Sequence, residues 1–348
     1  MKTFSIIFGI MSVVALTVSC GSNQVTYLEA FTPEESGLNL VKLTDESANV
    51  VLGSNTYNES PSRLIGGVAA YKNSSYAYSA EGKFRWNPLR LLDISPDGTK
   101  LAYITRANQQ DNIMIRNAGA QGASTQRTFR NVNDFCWGSD GKLYFSDRNG
   151  NSRYISSVNA EQGSMMAQLT NGTVVDETPA TLDGKKVFFT RNSSNGPSIW
   201  SLDRNNGTLT SCATGYNVCL IPGNNEAFYC VRNSAAGRSE IWYVNYVKGQ
   251  ETLVLTDQKR SFANPCLSPD GKWILCEGNS TSAITNKPNL DIFVVRTDGT
   301  QLTQLTFNPS QDLSPVWAKD GRSIYFISSR ANKEQKYNIW RMNFNLDF

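Results

Sequence analysis

The sequence of 348 residues predicts an all-β fold made of repeated sheets, and three observations support this. The first is a recurring Asp-Gly turn, which is found at Asp97, Asp140, Asp183, Asp270 and Asp320. The second is the spacing of these turns, 43, 43, 87 and 50 residues, in which the gap of 87 contains a degenerate copy at Pro222-Gly-Asn-Asn. The third is an apolar run after the turns, such as Ile324-Tyr-Phe-Ile. Six strand-rich units with a period of roughly 40 to 50 residues predict a six-bladed β-propeller of four-stranded antiparallel blades.

Each unit divides into four strands, and the first unit shows the pattern. Its strands are predicted near residues 91–94, 100–105, 112–116 and 126–129. The turn Ser95-Pro96-Asp97-Gly98 joins the first two strands, because proline presets one backbone angle, aspartate bonds the local backbone and glycine accepts a positive angle. Second strands are continuous apolar runs, which are typical of strands buried on both faces. Third strands are rich in β-branched and aromatic residues that suit a pleated sheet.

The last unit lacks a fourth strand, and the amino-terminal segment supplies a matching one. The unit ends after its third strand at Ile339-Trp-Arg-Met. Fourth strands elsewhere read Ala167-Gln-Leu-Thr, Leu253-Val-Leu-Thr and Thr303-Gln-Leu-Thr, and Val41-Lys-Leu-Thr has the same pattern. We therefore predict that this segment completes the final blade and closes the ring, which removes exposed sheet edges.

The sequence contains no histidine, and this excludes several classes of site. Imidazole is the usual general base near neutral pH and the commonest transition-metal ligand, so Ser-His-Asp, Cys-His and His-metal chemistry are absent. The net charge of +3 gives no electrostatic signature of nucleic-acid binding. We expect no cofactor and no metal. Glycoside cleavage by two carboxylates is compatible with this composition.

The amino terminus has the features of a targeting segment. Lys2 precedes an apolar stretch from Phe4 to Val18, which ends at Ser19-Cys20-Gly21. This segment resembles a bacterial lipoprotein signal, which implies cleavage before Cys20 and a lipid on its sulfur. The expected organisation is a signal peptide over 1–19, a tether over 20–37 and the propeller over 38–348, lipid-anchored in the cell envelope at the outer membrane. The alternative is an ordinary secretory signal in which Cys20 is incidental.

Six further cysteines could form disulfides or stay reduced. They are Cys136, Cys212, Cys219, Cys230, Cys266 and Cys276. Two hairpins carry an equivalent cysteine pair, Cys219 with Cys230 and Cys266 with Cys276, and each pair is a candidate bridge. Cys136 occupies the same first-strand position without a mate, and small apolar thiols are common in protein cores. Buried free thiols are therefore the favoured interpretation.

Several segments resemble repeats of the TolB-type propeller family. They are Ser268-Pro-Asp-Gly-Lys-Trp, Leu305-Thr-Phe-Asn-Pro, Ser314-Pro-Val-Trp, Asp320-Gly-Arg and Ser329-Arg330. The resemblance covers residues 89–348 and the strand near 41–44. It implies a six-bladed propeller in the bacterial envelope that binds other proteins across one end of its central channel.

Two features are candidates for a binding surface. Arginine follows five of the second strands, at Arg106, Arg148, Arg191, Arg232 and Arg330. These could form a basic funnel for carboxylate-bearing peptides or acidic glycans. Alternatively, each could pair with a carboxylate or loop carbonyl of its own or the next blade, which its regular recurrence favours. The second feature is an insert over 45–90 that contains Tyr71, Tyr76, Tyr78 and Trp86. It could be a lid or partner-docking surface, or an extra hairpin or degenerate blade.

Two functions follow from these observations. The leading hypothesis is a non-enzymatic envelope scaffold that binds protein or glycan through the funnel. The alternative is a polysaccharide hydrolase or lyase that acts through carboxylates, for which the candidate acids are Asp134, Asp176, Glu177 and Asp312. The sequence has no Gly-x-Ser-x-Gly motif, so it contains no nucleophile elbow of that type.

Overall fold

The structure, a computed structural model, confirms an all-β chain folded into six four-stranded antiparallel sheets. It describes residues 33–35, 37–44, 89–107, 110–119, 123–149, 152–161, 165–284, 286, 288–331 and 337–344. A single turn of 3-10 helix, Pro33–Glu35, precedes the first strand. No helix in these ranges is long and apolar enough to cross a membrane.

The first three blades follow one another along the chain. Blade 1 contains β2 (Leu92–Ile94), β3 (Lys100–Ala107), β4 (Gln110–Asn117) and β5 (Thr125–Gln126). Blade 2 contains β6 (Asn131–Trp137), β7 (Lys142–Asn149), β8 (Ser152–Asn159) and β9 (Ala167–Gln168). Blade 3 contains β10 (Val175–Ala180), β11 (Lys186–Ser193), β12 (Gly196–Asp203) and β13 (Leu209–Thr214).

The remaining blades continue this order and return to the amino terminus. Blade 4 contains β14 (Tyr216–Ile221), β15 (Asn224–Asn233), β16 (Ser239–Asn245) and β17 (Gln250–Leu255). Blade 5 contains β18 (Phe262–Leu267), β19 (Trp273–Thr281), β20 (Pro288–Arg296) and β21 (Thr303–Gln304). Blade 6 contains β22 (Asp312–Trp317), β23 (Ser323–Ser328), β24 (Asn338–Asn343) and, as its outer strand, β1 (Val41–Lys42).

The six blades form a closed ring around a central channel. The first strand of each blade contacts the first strands of both neighbouring blades, and β2 of blade 1 contacts β22 of blade 6. The first strands therefore surround the channel, and the fourth strands lie at the perimeter. Two faces result: the first strands end at the face with the Asp-Gly turns, and they begin at the opposite face, which we call the loop face.

The Asp-Gly turns have the local geometry that their sequence predicts. Asp97 accepts hydrogen bonds from the Ser95 hydroxyl at 2.5 Å and from the Thr99 backbone N–H at 3.0 Å. The Ser95 hydrogen bond is the main cause of the lowered pKa of Asp97, which is about 2. Gly98 has a φ of 75°, a conformation that favours glycine. These aspartates are therefore turn formers.

Apolar packing between neighbouring blades forms the core. Two consecutive phenylalanines of β11 pack against different neighbouring blades, because alternate side chains of a strand point to opposite faces of the sheet. Phe188 packs with Val218 and Phe228 of blade 4, and Phe189 packs with Ile155 of blade 2. The second strands are thus buried on both faces, as their continuous apolar sequences predict.

The amino-terminal strand closes the last blade by the same contacts that end other blades. β1 pairs antiparallel with β24, with Val41 opposite Arg341. The Thr44 hydroxyl accepts the Ile339 backbone N–H at 3.0 Å. Equivalent threonine–isoleucine bonds of 2.9 to 3.0 Å occur in three other blades, from Ile113 to Thr128, from Ile155 to Thr170 and from Ile292 to Thr306. The predicted closure is confirmed in detail.

All six described cysteines are free thiols, and strand register explains why the two candidate bridges do not form. Cys219 lies opposite Tyr229, and Cys266 lies opposite Leu275. Cys230 and Cys276 are each one position further along their strands, so their side chains point to the other face of the sheet. Cys219 accordingly packs towards blade 5, whereas Cys230 packs towards blade 3.

Candidate functional site

Three of the arginines that follow second strands are held in carboxylate pairs. Arg191, near the end of β11, donates from Nε and Nη2 to both carboxylate oxygens of Asp176, at 2.8 and 3.0 Å. Its guanidinium lies 4.7 Å from the centre of the Trp200 ring. Two parallel hydrogen bonds and an aromatic face suit the planar guanidinium, so blade 3 itself orients this side chain.

Arg232 forms an equivalent pair at the perimeter of blade 4. Its Nη1 and Nη2 donate to the two oxygens of Glu251 on β17, at 2.8 and 2.7 Å, and its Nε donates to the Thr214 carbonyl at 3.0 Å. Hydrogen bonding to Glu251 raises the pKa of Arg232, and the same contact lowers the pKa of Glu251. The pair joins the second and fourth strands of the blade.

The third pair is buried and joins the amino-terminal segment to blade 6. Arg330 donates from Nη2 to Asp312 at 2.6 Å, and from Nη1 and Nη2 to the two oxygens of Glu35 at 3.2 Å each. The Arg330 side chain is 2% exposed and both carboxylates are 0% exposed. Burial opposes the charge on Arg330, but Asp312 and Glu35 outweigh it and raise its pKa. Glu35 also accepts the Phe307 backbone N–H at 2.8 Å.

The other two arginines differ from these. Arg148, near the end of β7, is partly exposed, and no described carboxylate lies within ion-pair distance of it. The side chain of Arg106 lies outside the described residues, as do Cys20 and the insert residues Tyr71, Tyr76, Tyr78 and Trp86. The pairing interpretation thus describes three arginines, and a role of these residues in binding stays a prediction.

Full burial is shared by the four candidate acids, Asp134, Asp176, Glu177 and Asp312. Asp134 accepts the Thr178 backbone N–H on both carboxylate oxygens, at 3.1 Å each. Burial raises the pKa of Asp134 to about 6, although this hydrogen bond and nearby Arg153 oppose the rise. Glu177 forms an ion pair with Arg153 and accepts from Asn192 Nδ2 at 2.7 Å. A general acid or nucleophile must reach its substrate, and protein groups enclose these four carboxylates.

The chain that enters blade 1 crosses the channel near the loop face. Arg90 donates from Nη2 to the Val218 carbonyl at 3.2 Å, and Val218 belongs to blade 4 on the opposite side of the ring. The carbonyl of Leu89 accepts hydrogen bonds of 3.1 Å from Asn264 Nδ2 of blade 5 and from the Ser314 hydroxyl of blade 6. Leu89 and Arg90 therefore connect blades 1, 4, 5 and 6 at the channel.

A belt of hydrogen bonds crosses all six junctions between blades. At each junction the inner part of one blade donates a backbone N–H to a side chain of the preceding blade. The donor–acceptor pairs are Trp137 to Asp93 (2.8 Å), Thr178 to Asp134 (3.1 Å), Asn217 to Thr190 (3.3 Å), Asn264 to Asn217 (2.6 Å), Ser314 to Glu277 (2.6 Å) and Leu91 to Ser314 (3.1 Å). Buried polar groups in this inner layer thus hold the ring in register.

Four of these N–H donors belong to residues with a positive backbone φ. Thr178, Asn217, Asn264 and Ser314 have φ values of 48°, 60°, 54° and 48°, and each lies within an irregularity of strand pairing. Such angles are uncommon for residues other than glycine, and least so for asparagine. A β-bulge re-aims the backbone at this point, so that the N–H points to the preceding blade. Thr178 and Ser314 thus adopt a strained backbone conformation that allows their N–H groups to bond the preceding blade.

Three thiols lie near Arg90 and Asp93 in the inner layer. Burial raises the pKa of Cys136 and of Cys219 to about 12 each, and it also raises the pKa of Cys266. Cys219 Sγ accepts the Leu267 backbone N–H at 3.2 Å. Thiols with raised pKa values remain protonated and are poor nucleophiles and metal ligands. Within the described residues, no group of three or more Cys, Asp or Glu side chains is arranged to hold a metal ion.

Sequence analysis missed several of these residues, and three of them, Arg90, Asp93 and Glu277, carry a signal in the sequence. Asp93 is a charge within the short first strand β2, and Arg90 lies two residues before that strand. Glu277 is a charge that directly follows the apolar run Trp273–Cys276 in β19. Burial raises its pKa to about 7, opposed by hydrogen bonds from Asn264 and Ser314. Glu35 lies outside the repeats altogether, so only its contact with Arg330 shows its role.

Sequence comparisons find short or partial matches to known proteins. The chain is 35% identical over 69 residues to Dipeptidyl-peptidase 5 of Porphyromonas gingivalis, a match that covers 20% of this chain and 10% of that protein. It is 23% identical over 158 residues to a Protein TolB homolog of Chlorobium luteolum, covering 44% of this chain and 34% of that protein. The matches thus span 10% and 34% of the length of these curated relatives. No protein-family model matches the chain.

Comparison with solved structures identifies the same fold. TolB from Acinetobacter baumannii is 16% identical with a TM-score of 0.56, and the match covers 71% of this chain and 64% of that one. An oligogalacturonate lyase from Vibrio parahaemolyticus is 12% identical with a TM-score of 0.51, covering 89% and 97%. A gluconolactonase from Xanthomonas campestris is 11% identical with a TM-score of 0.52, covering 74% and 87%. In fold, this chain is therefore a TolB-like six-bladed β-propeller.

Proposed function

We propose that this chain is a non-enzymatic lipoprotein of the bacterial cell envelope, which binds an envelope protein or peptide, or a glycan, through the loop face. The observation that carries the proposal is the use of the charged side chains. All four candidate acids are fully buried, and arginines, an asparagine or backbone N–H groups hold them. These carboxylates build the blades, and a scaffold needs nothing further from them.

The ends of the insert favour the loop face as the binding surface. Thr44 follows the outer strand of blade 6, and Leu89 lies at the channel. Both fourth strands and second strands end at the loop face, whereas first strands begin there. The connection from Thr44 to Leu89 therefore starts at the perimeter and finishes at the centre of one face. Long connections on a rigid scaffold commonly carry recognition, so we propose that Tyr71, Tyr76, Tyr78 and Trp86 of the insert contribute to binding.

Site-specific photocrosslinking in intact cells tests whether the partner binds at the loop face. Lys259 is exposed in the connection between blades 4 and 5 on the loop face, and Lys272 is exposed beside an Asp-Gly turn on the opposite face. A photoreactive phenylalanine analogue at position 259 should capture a discrete envelope partner, and the same analogue at position 272 should not. Equal capture from both positions, or capture from position 272 alone, contradicts the assignment of the loop face.

The lipid anchor and the absence of catalysis have separate tests. Cys20→Ala should move the protein from the detergent phase to the aqueous phase, and unchanged membrane partition rejects lipidation. The similarity to an oligogalacturonate lyase is a similarity of fold, since identity is 12%. Turnover of acidic oligosaccharides that is lost in Asp134→Ala or Asp312→Ala, with binding intact, would establish the carboxylate enzyme in place of the scaffold.

A further inference from the structure

A groove of about 420 Å³ opens at the perimeter between blades 2 and 3, away from the channel. Its lining residues are Gln168, Leu169, Thr170, Asn171, Arg191, Leu202, Arg204, Gly207 and Leu209. The lengths of the outer strands explain why it exists. β9 of blade 2 has two residues, whereas β13 of blade 3 has six. The short strand leaves the face of β12 and β13 uncovered at this junction.

Arg204 gives the groove a cationic wall. The lining contains two arginines and no carboxylate, and the second arginine, Arg191, is paired with the buried Asp176. Arg204 donates from Nη1 to the Tyr144 hydroxyl at 2.8 Å and to the Gly184 carbonyl at 2.9 Å, and it lies 4.0 Å from Asp140. Its Nε and Nη2 donate to no described acceptor, and 27% of the side chain is exposed. These free donors can form charge-assisted hydrogen bonds with a carboxylate.

The wall formed by β13 is also an open sheet edge. β13 is the outermost strand of its sheet, and within the described residues it pairs only with β12. It carries no charged side chain, and its exposed residues include Leu209, which is 43% exposed. An edge of this kind presents unpaired backbone groups to any extended chain. β17 of blade 4 is equally long, but it carries the carboxylate of Glu251.

Exposed methionines next to the groove favour a protein as the occupant. Met165 is 92% exposed and Met166 is 37% exposed, and they directly precede β9, which contributes Gln168 to the lining. Methionine is flexible and polarisable, and it is frequent at adaptable protein-binding surfaces. Polar donors, a free strand edge and exposed apolar side chains together suit an extended peptide more closely than a sugar chain.

We infer that this groove is a second binding site, in which an extended acidic peptide segment of a partner protein adds to β13 as a fifth strand. Backbone hydrogen bonds to the edge hold the segment, and its carboxylates meet the free Nε and Nη2 donors of Arg204. Alternate side chains of the segment face the groove, and one of them packs on Leu209 and Leu202. The site lies at the perimeter, away from the channel, and the scaffold function does not depend on it.

Fluorescence anisotropy with a labelled peptide of alternating glutamate and valine tests this site on the mature chain. Wild-type protein should bind the peptide saturably. A peptide with glutamine in place of glutamate should bind at least about tenfold more weakly, because it forms no charge-assisted bonds. The acidic peptide with alternate backbone nitrogens methylated should not bind, since strand addition needs those N–H groups.

Matched variants locate the site. Leu209→Asp places a carboxylate on the groove wall and should weaken binding of the acidic peptide at least about tenfold. Leu253→Asp is the control, because Leu253 is 40% exposed on the outer strand of blade 4, and it should bind like the wild type. Arg204→Gln should weaken binding by a similar factor, and Arg204→Lys should recover most of it. Absence of saturable binding to wild type, or equal binding by the two aspartate variants, overturns the inference.

Discussion

Replacement of Arg330 by methionine tests whether the buried charge pairs hold the ring closed. The guanidinium is 2% exposed and is the cation that pairs with Glu35 and Asp312. Methionine has a similar length and keeps apolar contact with the rings of Phe326 and Trp340, which lie 5.2 and 5.7 Å from the guanidinium carbon. The substitution therefore removes the charge with little loss of packing.

The structure gives the size and the pH dependence of the effect. Removing one partner of a buried pair costs about 3–5 kcal/mol, because the remaining charge stays buried without compensation. Burial raises the pKa of Asp312 to about 6 even with Arg330 present, so Asp312 is ionised at pH 8 and mostly protonated at pH 5. A protonated carboxyl needs no cation. The cost of Arg330→Met should thus fall by at least about 1 kcal/mol between pH 8 and pH 5.

Urea unfolding followed by tryptophan fluorescence measures this cost at both pH values. Arg148→Met is the matched control, since Arg148 follows the second strand of blade 2 and forms no described ion pair. The control should change the free energy of unfolding by less than about 0.5 kcal/mol at either pH. The reasoning fails if Arg330→Met costs less than about 1 kcal/mol at pH 8, or if its cost is the same at pH 5.

Three further predictions concern the belt, the closure and the thiols. Burial raises the pKa of Glu277 to about 7 in the folded protein, whereas the usual value, expected in the unfolded chain, is about 4.5. The folded protein therefore binds a proton that the unfolded chain has released, and the free energy of unfolding should fall as the pH rises from about 4.5 to about 7. Glu277→Gln should remove this slope and stabilise the protein by about 1–3 kcal/mol at pH 8; parallel pH profiles would contradict this. Deletion of residues 38–45 removes β1 and should abolish cooperative thermal unfolding, whereas a deletion variant that melts like its parent rejects the closure. Cys136, Cys219 and Cys230 should resist iodoacetamide in the native protein and react in urea, as mass spectrometry can measure, and fast native labelling would show that they are accessible.

Local sequence patterns were sufficient for the repeats because neighbouring residues produce them. The Asp97 side chain bonds atoms within two residues of itself, so the turn follows from four consecutive residues. Phe188 and Phe189 pack on opposite blades because strand side chains alternate, so a continuous apolar run predicts burial on both faces. The match of Val41-Lys-Leu-Thr to other fourth strands predicted its place, since the same threonine bond recurs in four blades.

Strand lengths and the inner belt were not predictable in this way. The fourth strand of blade 1 was expected over 126–129, and it forms at Thr125–Gln126. Outer strands have one partner each, so their length depends on how far that partner and the next blade extend. The positive φ values of Thr178 and Ser314 have no local signal either, because the acceptor that favours them belongs to the preceding blade.

The amino-acid sequence by itself determined the number of blades, the closure by an amino-terminal strand and the absence of histidine chemistry, since periodicity and composition carry this information. Only the tertiary structure decided which charge meets which partner. Arg330 and Glu35 are 295 positions apart, and Arg90 meets Val218 across the ring. Such pairs depend on closure of the whole ring, which brings together residues that share no local pattern. For the same reason, only the structure showed that Arg191, Arg232 and Arg330 pair with carboxylates. The groove beside β13 likewise became visible only once neighbouring outer strands of unequal length lay side by side.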